Sequence, residues 1–275
     1  KPFYDESAAQ GAAFISIAAE NPDLFSDVAP KRLTEAGQTA GKALQGYRAR
    51  LMSNQNTWCV VSVPTPAWAC KVFPHETEET AVARLWTEIL RAVRVSEESD
   101  PVAAWKEHVS VLQKTADFLN AHDFLELHYR NGLGTDLHVE LPKGHIWMGG
   151  AERAASGTMF VANIPTEEVY TLPKRDGVNG VVVASKPLHY NGNLISGFSL
   201  TFRAGKVTDY HAESGEEHLR ELLQTDEGAS FLGEVALVPH ESPISASGIL
   251  FYNTLFDENA SCHLALGKAY PTCIR

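Results

Sequence analysis

The sequence has no uninterrupted run of roughly 18 apolar residues, the length a membrane-spanning helix needs, and Lys1 to Gln10 lacks the apolar core of a signal peptide. It has no Cys-x-x-Cys either. Its four cysteines, Cys59, Cys70, Cys262 and Cys273, fall in two distant segments. That spacing suits neither a zinc ribbon nor the dense framework of a small secreted domain. Basic residues are in deficit, 23 Lys and Arg against 34 Asp and Glu, so the formal net charge is −11, the wrong sign for a general binder of phosphate backbones. These absences predict a cytoplasmic protein with reduced thiols and no nucleic-acid or membrane partner. In that setting the sequon Asn259-Ala260-Ser261 has no role.

Several catalytic patterns are also missing. No Gly-x-Ser-x-Gly elbow occurs, and neither His75-Glu76 nor His240-Glu241 extends to His-Glu-x-x-His. Gly132-Leu133-Gly134 lacks the third glycine of a dinucleotide loop and joins two strand-like stretches, which marks it as a hairpin turn. His138-Val139-Glu140 matches the first half of a zinc-deaminase signature, but no Pro-Cys-x-x-Cys follows. On a strand its two polar side chains share one face.

What remains is an ordinary globular composition, 44% hydrophobic and 21% charged over 275 residues, enough chain to hold a core without disulfides or structural metal. The first part alternates strand and helix. Ala12 to Ala19 and Trp58 to Val63 are apolar runs closed by proline-containing turns, and Pro30 to Met52 between them carries apolar residues at helical spacing. This is a βαβ unit, which implies a parallel crossover. Helices are expected over Glu78 to Val93 and over Pro101 to Ala121, the latter with Asp100 as N-cap. From Phe124 the texture changes to short strands punctuated by glycine, with one helix from Gly215 to Leu223. The expected fold is therefore α/β: an N-terminal α/β domain over 1–122 with parallel strands and helices, then a β-rich metal-binding domain over 123–275.

Three carboxylate sites stand out. Glu167-Glu168 follows Pro165 just past a strand. Glu234 interrupts the otherwise apolar Phe231 to Val238, where a lone buried charge would cost on the order of several kcal/mol without a partner. Asp257, Glu258 and His263 share one short loop between apolar stretches. Glu and His are the ligands divalent transition ions take when a position must stay open for water, and bridging carboxylates hold paired ions in two-metal hydrolases. On the residues alone, Glu168 and Glu234 also fit the acid and nucleophile of a glycosidase.

The blocks Asn163-Ile164-Pro165-Thr166-Glu167-Glu168-Val169, Gly233 to Val238 and Thr254 to Gly267 resemble the M29 family of metalloaminopeptidases, and the similarity extends over essentially the whole chain. The resemblance implies hydrolysis of the N-terminal peptide bond of peptides at a site with two divalent ions, Zn, Co, Mn or Mg. Glu168 would hold one ion together with His263, Glu234 would bridge, and Glu258 would hold the second. Tyr270 matches the family's catalytic tyrosine. Glu167 is expected as general base, although neighbouring residues on an extended segment point opposite ways, so Glu167 and Glu168 could exchange roles. A homodimer is also implied. Family members are longer at both ends and carry a further His-x-Asp ligand pair beyond the position of Arg275. These 275 residues alone are therefore expected to show little or no turnover, and the alternative reading is an inactive fragment or a peptide-binding or assembly module that keeps the fold.

Overall fold

The computed structural model describes residues 2–275. Helix α1 (Pro2–Ala9) leads into strand β1 (Phe14–Ala18). The long helix expected between the first two strands is two: α2 (Pro30–Ala43) and α3 (Gln45–Met52), broken at Leu44. Gly41 and Gly46 flank the break, and glycine is among the weakest helix formers. Strand β2 (Trp58–Ser62) pairs parallel with β1 in continuous register, from Phe14 opposite Trp58 to Ala18 opposite Ser62. The βαβ reading holds.

Pro64-Thr65-Pro66 closes β2 and also starts α4 (Pro66–Val72), with the Thr65 hydroxyl accepting from the Trp68 N–H and Pro66 in the first turn. Helix α5 (Glu78–Ala92) is capped by Thr77 and buries Ala81, Leu85, Ile89 and Ala92, one stripe at helical spacing. Helix α6 (Pro101–His122) is capped by Asp100, buries Leu112, Ala116 and Leu119, and ends at Asp123 in the left-handed region.

After it come β3 (Glu126–Arg130), β4 (Asp136–Glu140), β5 (Met148–Gly149), β6 (Glu152–Arg153), β7 (Met159–Phe160), β8 (Val169–Thr171) and β9 (Val178–Val183). The hairpin β10 (Leu188–Tyr190) and β11 (Asn193–Ile195) precedes β12 (Ser199–Arg203), β13 (Lys206–His211) and helix α7 (Glu216–Leu223). Strand β14 (Leu232–Leu237), the short helices α8 (Pro243–Ser247) and α9 (Thr254–Asp257), a 3-10 turn over Glu258–Ala260 and β15 (His263–Leu266) complete the described order up to a last 3-10 turn. Two antiparallel sheets result, β13-β12-β9-β4-β3 and β15-β14-β8-β5. The α/β class with a β-rich second part is as read.

Packing crosses the change of texture at 122–123. One core sets Leu112 and Ala116 of α6 against Leu137, Val139, Trp147, Val178, Phe202 and Val235 of the sheets. A second joins Trp68, Leu85 and Ile89 of α4 and α5 to Ile244, Phe251 and Phe256, some 160 residues later in the chain. Each such side chain contributes about 1.5–3 kcal/mol by leaving water. The Trp68 indole N–H also donates to the Phe251 carbonyl at 2.5 Å. Among the described residues no helix is long and apolar enough to cross a membrane, and all four cysteines are free.

Candidate metal centre

The four-stranded sheet places three of the expected residues together. Strand β14 lies between β8 and β15, with Ala236 opposite both Tyr170 and His263. Glu234, two residues before Ala236, shares its face, so its carboxylate meets the imidazole of His263 diagonally across the strands; Nε2 of His263 is 3.8 Å from Glu234 Oε1. The lone charge in an apolar strand thus has a neighbour. Glu168 stands at the entry to β8, its Oε2 2.9 Å from the same Nε2. Glu258 arrives from the other side, as the first residue of the 3-10 turn that follows α9.

Glu168, Glu234, Glu258 and Tyr270 line one cavity of about 80 Å³, together with Trp58, Gly149, Glu152, Asn163 and Tyr170. That is room for a few waters or ions, each needing on the order of 10–15 Å³. Gly149 is required at its wall: an added methyl would sit 2.7 Å from Val169 Cγ1 and 3.0 Å from the Glu168 carbonyl oxygen, pushing the strand that carries Glu168.

The electrostatics are those of carboxylates confined without enough positive charge. Burial, then the charge of Glu168, raises Glu234 to about 7, against the opposing pull of His263. Glu258 is raised as well, by burial first and then by Glu168. Burial disfavours a charged His263, but the Glu168 and Glu258 carboxylates beside it prevail and raise it to about 9. Tyr270 is pushed up by burial and then by Glu234, Glu152, Glu258 and Glu168, so its phenol keeps its proton.

Two atoms at the centre lack a hydrogen bond. Glu168 Oε2 and His263 Nε2 are both buried and without a hydrogen-bond partner, close to one another but not in line. The other imidazole nitrogen, Nδ1, donates to the Ser261 carbonyl at 3.1 Å, so Nε2 is the nitrogen that faces the carboxylates. These two orphaned buried donors, one carboxylate oxygen and one imidazole nitrogen, beside the carboxyls of Glu234 and Glu258, fit divalent ions of the zinc and cobalt type.

Glu167 and Glu168 point opposite ways. Glu168 lines the cavity, while Glu167, 2% exposed, turns to Arg94. The Arg94 guanidinium donates to both of its carboxylate oxygens, at 2.5 and 2.8 Å, and His108 Nε2 lies 3.9 Å away. The Glu167 N–H donates to Asn259 Oδ1 at 2.7 Å. Because Asn259 follows Glu258, this bond ties together the two loops that deliver Glu168 and Glu258. Asp257 accepts from the Phe251 and Asn253 N–H groups at 2.7 and 3.0 Å; it shapes the loop.

Sequence reasoning missed Glu152, Trp58 and Arg94. Glu152 is buried with only neutral partners, Asn54 Nδ2 at 2.6 Å and the Tyr170 hydroxyl at 3.4 Å, and burial raises its carboxyl. The buried Trp58 Nε1 has no acceptor among the described residues. Glu152 sits on a two-residue strand with no periodicity, and Arg94 follows the end of α5 by two positions, so neither gave a signal.

Comparisons with known proteins find relatives over nearly the whole chain. A family model described as thermophilic metalloprotease (M29) matches residues 1–275. Aminopeptidase 2 of Geobacillus stearothermophilus is 56% identical over 270 residues, 98% of this chain and 65% of that protein. Aminopeptidase AmpS of Bacillus subtilis is 52% identical, over 97% of this chain and 64% of its own length. The chain thus spans just under two thirds of the length of these relatives. Among solved structures, wild-type AmpT from Thermus thermophilus superposes with a TM-score of 0.91 at 40% identity, covering 99% of this chain and 67% of that one.

Proposed function

The chain belongs to the thermophilic metalloprotease family M29, and from that premise we propose that its protein is a metal-dependent aminopeptidase that removes N-terminal residues from peptides at the cavity of Glu168, Glu234, Glu258 and His263. The observation that carries the reading is the convergence of Glu168, Glu234 and Glu258 on one cavity, with the His263 imidazole against Glu168 and both Glu168 Oε2 and His263 Nε2 without a hydrogen-bond partner. The aminopeptidase names of the relatives support the reaction class.

In this reading Glu168, His263, Glu234 and Glu258 would hold the divalent ions. When bound, two divalent ions supply Lewis acidity that lowers the pKa of a water and polarises the scissile carbonyl. The Tyr270 phenol, protonated because its surroundings are acidic, donates a hydrogen bond to the oxygen on which negative charge develops. Glu152, the cavity carboxylate that no ion requires, receives the α-ammonium of the substrate, the group that distinguishes an exopeptidase's substrate from an internal peptide bond. Glu167, the expected general base, would have to leave Arg94 to take a proton from the water; its contacts support a positioning role for Glu168 and Asn259 instead. Family membership further supports a homodimer acting on peptides, and the four free thiols suit the reducing cytoplasm; light scattering of the purified protein reads the assembly directly.

The test is hydrolysis of leucyl-p-nitroanilide by the full-length protein after chelation and after return of Co²⁺ or Zn²⁺. Activity is expected only with metal and only on the free amine, with the N-acetylated substrate left intact. Turnover that survives chelation would overturn the proposal, as would a Glu234→Gln variant that keeps the natural metal stoichiometry.

A further inference from the structure

A second cluster of metal-ligating groups lies on the outer face of the β3–β4 hairpin, on a different sheet from the cavity above. The ladder sets His128 directly opposite His138, with Asp136 two residues before His138 and Glu126 two before His128. Strand alternation puts all four on one face, while Leu137 and Val139 between them enter the core. The two imidazoles stack with centroids 3.9 Å apart and planes within 17°.

We propose that His128, Asp136 and His138 form a surface site for one borderline divalent ion, Zn²⁺, Ni²⁺ or Cu²⁺ by chemical class. One ligand atom from each of the three residues lies within 4.8 Å of the others. His128 Nε2 is 2.7 Å and His138 Nε2 4.0 Å from Asp136 Oδ1. Around a tetrahedral ion with bonds of about 2.1 Å the donors stand about 3.4 Å apart, so both spacings to Asp136 lie within an ångström of a ligand set. The half-exposed side chains, 38%, 47% and 60% for His128, His138 and Asp136, can make that adjustment and leave the fourth position to water.

The tautomer is prepared as well. His138 Nδ1 is 2.7 Å from Glu126 Oε1, which holds the proton on Nδ1, frees Nε2 to ligate, and supplies the carboxylate–histidine support that metal-bound imidazoles use. Two imidazoles and one carboxylate favour zinc, nickel and copper over magnesium or calcium, whose ligands are oxygens. Arg130 lies 3.8 Å from the other carboxylate oxygen, Oδ2, and so leaves Oδ1 available. A cross-strand ion would join the edge strand of the sheet to its neighbour independently of the cavity chemistry.

Zinc titration by calorimetry of the full-length protein, with equilibrium dialysis for stoichiometry, decides the matter without any activity readout. The H128Q/H138Q variant is expected to bind one ion fewer than the natural protein, with an unchanged melting temperature in chelator. The E168Q/E258Q variant is expected to retain one micromolar site, weakened at least tenfold by adding H138Q. Equal stoichiometry and affinity in the natural protein and H128Q/H138Q would overturn the proposal, and so would binding to the E168Q/E258Q protein that is unaffected by H138Q, which marks an adventitious ion only. Should E168Q/E258Q not fold, the comparison of the natural protein with H128Q/H138Q decides alone.

Discussion

Arg94 adopts a positive φ of 55° to lay its guanidinium against Glu167, beside Trp105, whose ring centroid is 5.9 Å from the guanidinium carbon. A residue pays that local strain when the contact it gains is larger. Replacing Arg94 by Met would leave the Glu167 carboxylate, 3% exposed at its side chain, without its counter-charge, which costs about 3–5 kcal/mol. Lys would keep the charge but lose the two-pronged donor geometry, for a smaller loss. Urea denaturation reads both, and combining R94M with E167Q should recover part of the deficit, since contacting partners are not additive; an R94M protein within 1 kcal/mol of natural stability would contradict the clamp. Glu152 makes a kinetic prediction instead. Substituting Gln keeps the shape but removes the charge offered to the α-ammonium, so KM for leucyl-p-nitroanilide should rise about tenfold, in line with ~1.5 kcal/mol for a hydrogen bond to a charged group, with kcat changed far less. A fall in kcat at constant KM would place Glu152 in the chemical step.

At the level of elements, strands are fixed by what a neighbour's backbone leaves room for. Gly180 lies in β9 between β4 and β12 at φ 120°, and a methyl there would run into the Asp136 carbonyl oxygen of β4. Gly180→Ala should therefore cost about 2–4 kcal/mol through strain and a broken ladder, visible as a lowered melting temperature. The β10 hairpin carries a second test. His189 of β10 is pinned to the Pro22 carbonyl, Nε2 to oxygen 3.0 Å, and packs edge-on against Tyr252. Burial lowers its pKa, against the pull of that carbonyl and of Asp23. A histidine depressed in the folded state is protonated first in the unfolded chain, so the protein loses stability as pH falls through the unfolded value of about 6.5. His189→Gln keeps a donor and cannot titrate, so its melting temperature should fall less between pH 7.5 and 5.5. Elements like these also mark the limits of reading from sequence. Helices α5 and α6 were legible because their apolar stripes, and for α6 the cap Asp100, are local signals. So was β14, where Glu234 stood out against apolar neighbours. The two-residue strands β5 and β6 were not, because two residues carry no periodicity and depend on partners elsewhere in the chain; the break at Leu44 and α4 after Pro64-Thr65-Pro66 were not read either, although glycines and a Thr-Pro cap mark them locally. Which of Glu167 and Glu168 faces the cavity was undecidable until Arg94 supplied the other with a partner.

Over the whole molecule, the cavity sits where the β15-β14-β8-β5 sheet meets the loop behind α9, and the residues proposed as ligands come from segments up to 95 residues apart, Glu168 to His263. A chain of net charge −11 has gathered Glu152, Glu168, Glu234 and Glu258 into that space, with His263 as the cationic side chain among them. Such a site is arranged for bound ions at the expense of the metal-free fold. The two effects separate in one substitution. Glu258→Gln removes a buried carboxyl whose ionised form its neighbours repel, so in chelator the variant should be as stable as the natural protein or up to roughly 1–3 kcal/mol more stable, the scale of an unsatisfied buried group. With Zn²⁺ or Co²⁺ at about a hundred times the dissociation constant, the natural protein should gain about 2.7 kcal/mol by mass action, whereas the variant, one ligand short, should gain little. Melting curves with and without metal therefore cross in order: variant above natural protein in chelator, natural protein above variant in metal. A variant that is less stable in chelator and gains as much from metal would show that Glu258 braces the 3-10 turn rather than holding an ion.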